Sequence, residues 1–120
     1  MSNDYDLEDR LIEFAVKIIQ LAESLPNTRA GRHISGQILR SGASPAPNYG
    51  EAQAAESRSD FIHKMKVCLK ELRETKVWLK MIIRANLIKS EIKPLMKEKD
   101  ELISIFFTSI STAKKNLKSK

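Results

Sequence analysis

Apolar residues at helical spacing run through most of this chain and constrain its fold more than any other feature. Leu7, Leu11, Phe14, Ile18, Leu21 and Leu25 recur at spacings of 4, 3, 4, 3 and 4. Such a seam belongs to an amphipathic helix packed against other helices. Phe61, Met65, Cys68, Leu72, Thr75, Leu79, Ile82 and Asn86 keep helical spacing over a second long stretch. Ile92, Leu95, Leu102, Phe106, Ile110, Ala113 and Leu117 form another seam near the end of the chain. No segment reads convincingly as a strand. Gly and Pro number four each and aromatics are 6%, poor material for many β-turns. The chain is therefore expected to be all-α.

Local signals set the boundaries. Asp4 or Asp6 can cap the first helix. Leu25-Pro26-Asn27 ends it, because the residue before proline avoids the helical region. A second helix starts at Asn27 or Thr28 and carries Ile34, Ile38 and Leu39. Between Ser41 and Pro47, Pro45 and Pro47 each lack an amide donor, so this helix must kink or break. From Asn48 to Ala55 the composition is helical again, which predicts one long second helix kinked near Ser44–Pro47. Ser57 to Asp60 begins the third helix, and Asn86 and Ser90 bracket a short connection to the fourth. Ser90 is read as a cap without a capping box, since Lys93 stands where Glu would be needed, and Pro94 falls in the first turn. Four long helices with short connections predict an antiparallel up-and-down four-helix bundle. It would form a single domain over residues 1–120, with a frayed tail from about Lys114.

Several functions are disfavoured. With 30% charged and 42% hydrophobic residues the balance is that of a soluble globular protein. No apolar run approaches the roughly 20 residues that cross a bilayer, so no membrane role is expected. Asp4, Asp6, Glu8 and Asp9 stand where a signal peptide would be basic. The single cysteine, Cys68, excludes an internal disulfide and fits a reducing cytoplasm. It lies on the core seam as a small hydrophobe rather than an activated nucleophile. The glycines match no phosphate-binding loop. Glu56, Asp60 and His63 share one helical face, but a capping acid and a surface histidine explain them better than a metal site. No catalytic residue, metal or cofactor is expected, and the chain does not read as an enzyme.

Charge is uneven within the net +6. Residues 1–26 carry six acids and two bases, whereas residues 61–89 carry two acids and eight bases. Lys66, Lys70, Arg73, Lys80 and Arg84 follow spacings of 4, 3, 7 and 4. They lie within roughly 40° of one line, opposite the third seam. With Val77 in the gap they form a ladder about 27 Å long. Nucleic-acid phosphates, RNA or DNA, suit such a ladder. A solvated helix face or a contact with an acidic protein is the alternative. No aromatic residue interrupts the stripe, so base-specific reading is not suggested.

The first helix has a second apolar stripe. Ile12, Val16 and Ile19 lie roughly 120–180° from the Leu7 seam, too far round for one core to cover both faces. If fully buried together they could contribute about 5–8 kcal/mol. The third helix repeats the pattern more mildly with Val67, Trp78 and Met81. A subunit interface is the favoured reading; a wide core with scattered exposed apolar residues is the other.

Separated motifs then become recognisable in order. They are Arg40-Ser41-Gly42, Ser44, Asn48-Tyr49, Glu51-Ala52, Ser57, Asp60-Phe61-Ile62-His63-Lys64, Lys70-Glu71-Leu72, Glu74 and Trp78-Leu79. Over roughly residues 8–110 the chain resembles the bacterial four-helix-bundle family named for intervening sequences of 23S rRNA genes. Pro47 departs from the pattern, in which a small residue commonly precedes the Asn-Tyr pair. The resemblance implies an up-and-down bundle, assembly into a homopentamer and no established catalytic activity. Members are similar to the accessory protein of diversity-generating retroelements, a basic pentamer that associates with a reverse transcriptase and nucleic acid. The resemblance thus implies nucleic acid, a reverse transcriptase or another acidic protein as partners. The motif residues also have structural readings. Asn48 and Ser44 can satisfy backbone groups near the prolines, Glu51, Asp60 and Lys64 can pair between helices, and Trp78 can pack at a subunit boundary. A polar pocket around Asn48, Tyr49 and Glu51 is a further reading.

Overall fold

The computed structural model describes residues 3–118, with side chains from Leu7 onward. Its helices are α1 (Asn3–Ser24), α2 (Arg29–Ala43), α3 (Pro45–Gln53), α4 (Arg58–Arg84) and α5 (Lys93–Lys118). No strand occurs among the described residues. Ser44 keeps right-handed helical dihedrals, φ −71° and ψ −34°, so α2 and α3 are one arm bent at the expected place. Pro45 occupies the first helical position of α3, where a missing donor costs least. The Asn48 side-chain amide donates to the carbonyl and hydroxyl of Ser44, both at 2.9 Å, and fastens the two segments together.

Capping chemistry explains most boundaries. Thr28 Oγ1 accepts from the Gly31 amide at 3.0 Å and starts α2. Ser57 Oγ accepts from the Asp60 amide at 3.0 Å and starts α4. Asn86 ends α4 in the left-handed region at φ 53°. Its amide donates to Ile83 O and that of Leu87 to Ile82 O, each at 3.1 Å, which is the Schellman closure. One expected cap is replaced, and one falls among side chains outside the described residues. α1 begins at Asn3, which places Asp4 and Asp6 inside its first turn, with side chains outside the described residues. At α5, Glu91 rather than Ser90 takes the cap, accepting from the Lys93 amide at 3.0 Å. One residue closer to the helix, its longer side chain reaches the Lys93 amide. α5 continues through Lys118, past the point where fraying was expected. Buried Ala113 anchors its last turns, and Lys115 and Lys118 complement the helix dipole.

The helices form a ring in chain order. α1 lies beside the α2–α3 arm and α5, as does α4, which leaves α1 and α4 on one diagonal. Leu11, Phe14, Ile18, Ile38, Met65, Cys68, Leu72, Leu79, Ile82, Leu102 and Phe106 fill the centre. Tyr49 and Phe106 meet edge to face across the other diagonal, centroids 5.9 Å apart. The seams are buried along their middles; Leu25, Phe61 and Ile92 at their ends are partly buried, and Asn86 and Leu117 are exposed. Lys99 is the unexpected core residue, 1% exposed between Leu95 and Leu102. Its stem packs among apolar side chains, and its Nζ reaches the exposed Asp100 carboxylate at 2.6 Å.

Two glycines of the α2 arm separate packing from propensity. A Cβ on Gly42 would lie 2.7–2.8 Å from the γ-carbons of Ile18, because α1 and α2 approach closely there. A Cβ on Gly36 would meet nothing within 4 Å. Gly42→Ala is therefore expected to destabilise by about 1–3 kcal/mol through overpacking. Gly36→Ala is expected to stabilise by about 0.5–1 kcal/mol, since alanine restricts the unfolded chain and favours helix. Urea titrations of both variants check the opposite signs.

Candidate nucleic-acid interface

Lys66, Lys70, Arg73, Lys80 and Arg84 are all exposed on the outer face of α4, opposite its buried seam. Among the described residues none of these five is paired with a carboxylate, whereas Arg10, Arg40 and Lys64 are. Arg10 is held by Glu98 at 2.7 Å and Glu101 at 2.9 Å on α5. The Glu98 hydrogen bond leads the effects that hold the Arg10 guanidinium more firmly protonated than usual. Lys64 meets Glu51 of α3 at 2.8 Å, and that hydrogen bond raises its pKa.

The α4 carboxylates point away from the stripe and are paired with a neighbouring helix. Arg40 of α2 donates to Glu71 at 2.8 Å and also to Glu74. The Trp78 indole donates to the same Glu74 carboxylate at 3.0 Å, and its ring meets His33 edge-on. Beneath, the buried Thr75 hydroxyl lies 2.8 Å from both Ser41 Oγ and the Glu71 carbonyl. Residues of the recognised motifs thus converge on the α2–α4 contact. One guanidinium thus engages both acids and offsets part of their charge, and among the described residues neither acid pairs with a cation of the outer face.

Tertiary structure adds neighbours that the linear stripe lacks. Lys66, Leu69, Lys70 and Arg73 form one wall of a groove of about 340 Å³ between α4 and α5. Phe107, Ile110, Ser111 and Lys114 form the other wall. No aromatic residue stands within the stripe itself, but Phe107, 58% exposed, comes beside it from the neighbouring helix. Lys114, on α5, joins the groove. The signal in the sequence is the shared i, i+4, i+7 face of Phe107, Ser111 and Lys114. Lys80 and Arg84 border a different groove of about 610 Å³, with Ile34, Val77, Met81 and Ala85.

Ile12, Val16 and Ile19 are exposed on α1 at 40–44%. More than half of each is already covered within the chain, so further burial of all three is worth about 2–4 kcal/mol rather than the full-burial figure. Trp78 is partly buried on α4, diagonally across the bundle, and the structure does not bring it together with the α1 stripe.

The remaining candidates have structural occupations. Asn48 braces the kink, Glu51 holds Lys64, and Tyr49 is buried and accepts from Gln53, so the three do not share one pocket. Among the described residues no three His, Cys, Asp or Glu side chains are grouped to hold a metal. Burial pushes the Cys68 thiol up to about 12. The folded protein should accordingly resist thiol alkylation at pH 8 and react fully once unfolded in urea, as mass spectrometry would read directly.

The fold and this surface define an up-and-down helical bundle with one cationic face left unneutralised by its own acids. No helix is long and apolar enough to cross a membrane. Residues 3–107 match the family of 23S rRNA-intervening sequence proteins, and the chain belongs to that family. Its fold is similar to a crystal structure from Bacteroides thetaiotaomicron, a protein of unknown function from the S23 ribosomal protein family. That likeness has 37% identity and a TM-score of 0.83, over 92% of this chain and 99% of the other. No curated protein matches the chain.

Proposed function

We propose that this protein is a non-enzymatic, cytoplasmic, oligomeric adaptor that binds nucleic acid through phosphate contacts from Lys66, Lys70, Arg73, Lys80 and Arg84. The observation that carries the reading is the absence of acidic partners along this face among the described residues, with Glu71 and Glu74 both drawn to Arg40. A merely solvated helix face more often alternates charges that pair with each other.

Assembly is the second element of the proposal. Ile12, Val16 and Ile19 on α1, and the partly buried Trp78 on α4, are two different apolar surfaces on different sides of the bundle. Two unlike patches suit a head-to-tail contact, which closes into a ring such as the homopentamer implied by the family resemblance. A ring would repeat the cationic face around its axis and strengthen the field felt by a polyanion.

The test is a fluorescence-anisotropy titration of the protein with single-stranded RNA, single-stranded DNA and duplex DNA at two salt concentrations. Binding to at least one, weakening steeply as salt rises, is the expected result. No binding to any of the three at low salt would remove the nucleic-acid role and leave the cationic face to an acidic protein, such as a reverse transcriptase.

A further inference from the structure

We infer that the α4–α5 groove takes single-stranded nucleic acid, with an unpaired base stacked on Phe107 and the flanking phosphates held by Lys66, Lys70, Arg73 and Lys114. The inference rests on the proposed phosphate-binding role of the α4 face and adds the substrate class. Three features of the groove carry it.

The two walls are matched in spacing. Lys66, Leu69, Lys70 and Arg73 stand at i, i+3, i+4 and i+7 on α4, and Phe107, Ile110, Ser111 and Lys114 stand at the same offsets on α5. Each helix turns the same strip of its surface toward the groove. Leu69 and Ile110 are buried and make the floor, while the cations rise on both sides.

Phe107 is the most exposed large apolar residue among those described, at 58%. Its neighbour Phe106 is fully buried, so the core does not need a second ring at this point. A phenyl face among four cations is a poor seat for an apolar protein segment, because docking would strip water from the charges around it. It suits a ligand that is itself both aromatic and anionic. Single strands supply a free π-face at each base together with a phosphate, and proteins that hold them combine a basic groove with aromatic platforms. In a duplex the π-faces are stacked inside and unavailable to Phe107.

The experiment compares three probes of equal length: an oligothymidine strand, an abasic strand with the same phosphates, and a DNA duplex. Phe107→Ala should weaken binding of the oligothymidine by about 5- to 150-fold, the range for losing one base–aromatic stack. The abasic strand and the duplex should bind the variant as they bind the parent. Phe107→Trp should restore the oligothymidine affinity, and its added indole fluorescence should be quenched by that strand but not by the abasic one. Because Phe107 is exposed, thermal unfolding of both variants should match the parent.

Equal weakening for all three probes would overturn the stacking role. So would unchanged oligothymidine binding in Phe107→Ala while Lys70→Glu with Arg73→Glu abolishes it, a result that leaves the phosphate-binding proposal standing. A changed oligomeric mass for Phe107→Ala in light scattering would assign the ring to a subunit contact and overturn the inference too. Absence of binding by the unaltered protein would end both proposals together.

Discussion

Lys70→Glu combined with Arg73→Glu is expected to weaken nucleic-acid binding at least about 25-fold at about 0.1 M salt. The figure follows from counterion release, in which each phosphate contact on a single strand contributes about 0.7 to the salt slope. Losing two contacts lowers that slope by about 1.4, and at this salt concentration the same loss corresponds to the stated factor. Reversal adds repulsion to the loss, so the effect exceeds that of neutral substitution. It should be similar for unrelated sequences, because phosphate contacts carry no direct base information. Both side chains are exposed and unpaired among the described residues, so circular dichroism should show an intact bundle. Arg40→Ala is the informative companion. It should lower stability by leaving the buried Glu71 without its partner, and it should also weaken binding by removing the positive charge that offsets the two carboxylates. If the double reversal binds as the unaltered protein does, the site is elsewhere, and reversal of Lys114 and Lys115 locates it on the end of α5.

Val16→Glu is expected to convert the assembly to monomers while leaving the helix content of each protomer nearly unchanged. Val16 is 40% exposed and lies opposite the α1 seam, so a longer polar side chain can reach water in the isolated bundle. In an assembled interface the same carboxylate would be stripped of water without a partner, a cost larger than the about 2–4 kcal/mol the whole stripe can contribute. Light scattering at micromolar concentration reads the mass, and circular dichroism at the same concentration reads the fold. A monomeric parent protein would refute the interface reading of Ile12, Val16 and Ile19. A variant that stays assembled would move the interface to another surface, with the Trp78 side of α4 as the next to examine.

How much of this molecule is legible in its sequence depends on whether a feature is local. Leu11, Phe14 and Ile18 announce a buried face because burial repeats with the turn of a single helix. Thr28 and Ser57 announce helix starts because a hydroxyl reaches an amide three residues on. Pro45 and Pro47 announce the bend because a missing donor acts on its own turn. Burial of Lys99 is not legible in the sequence, because its charge outweighs its seam position in any reading of polarity, although its long stem lets it lie inside while its head reaches Asp100.

The site divides along the same line. That Lys66 to Arg84 share a face follows from the 3.6-residue turn alone, as does the exposure of Ile12, Val16 and Ile19. That Glu71 and Glu74 point away from that face follows from the same turn, whereas their pairing required Arg40, some thirty residues earlier on another helix. That Phe107 and Lys114 join Lys66, Lys70 and Arg73 required the axial register of α5 against α4. The sequence determined the helices, their bend and their faces, because helix periodicity and capping act over a few residues. Only the tertiary structure decided which faces share a groove and which charges cancel. Those outcomes depend on how side chains distant in sequence interlock along the length of two helices, and no spacing within either helix encodes that register.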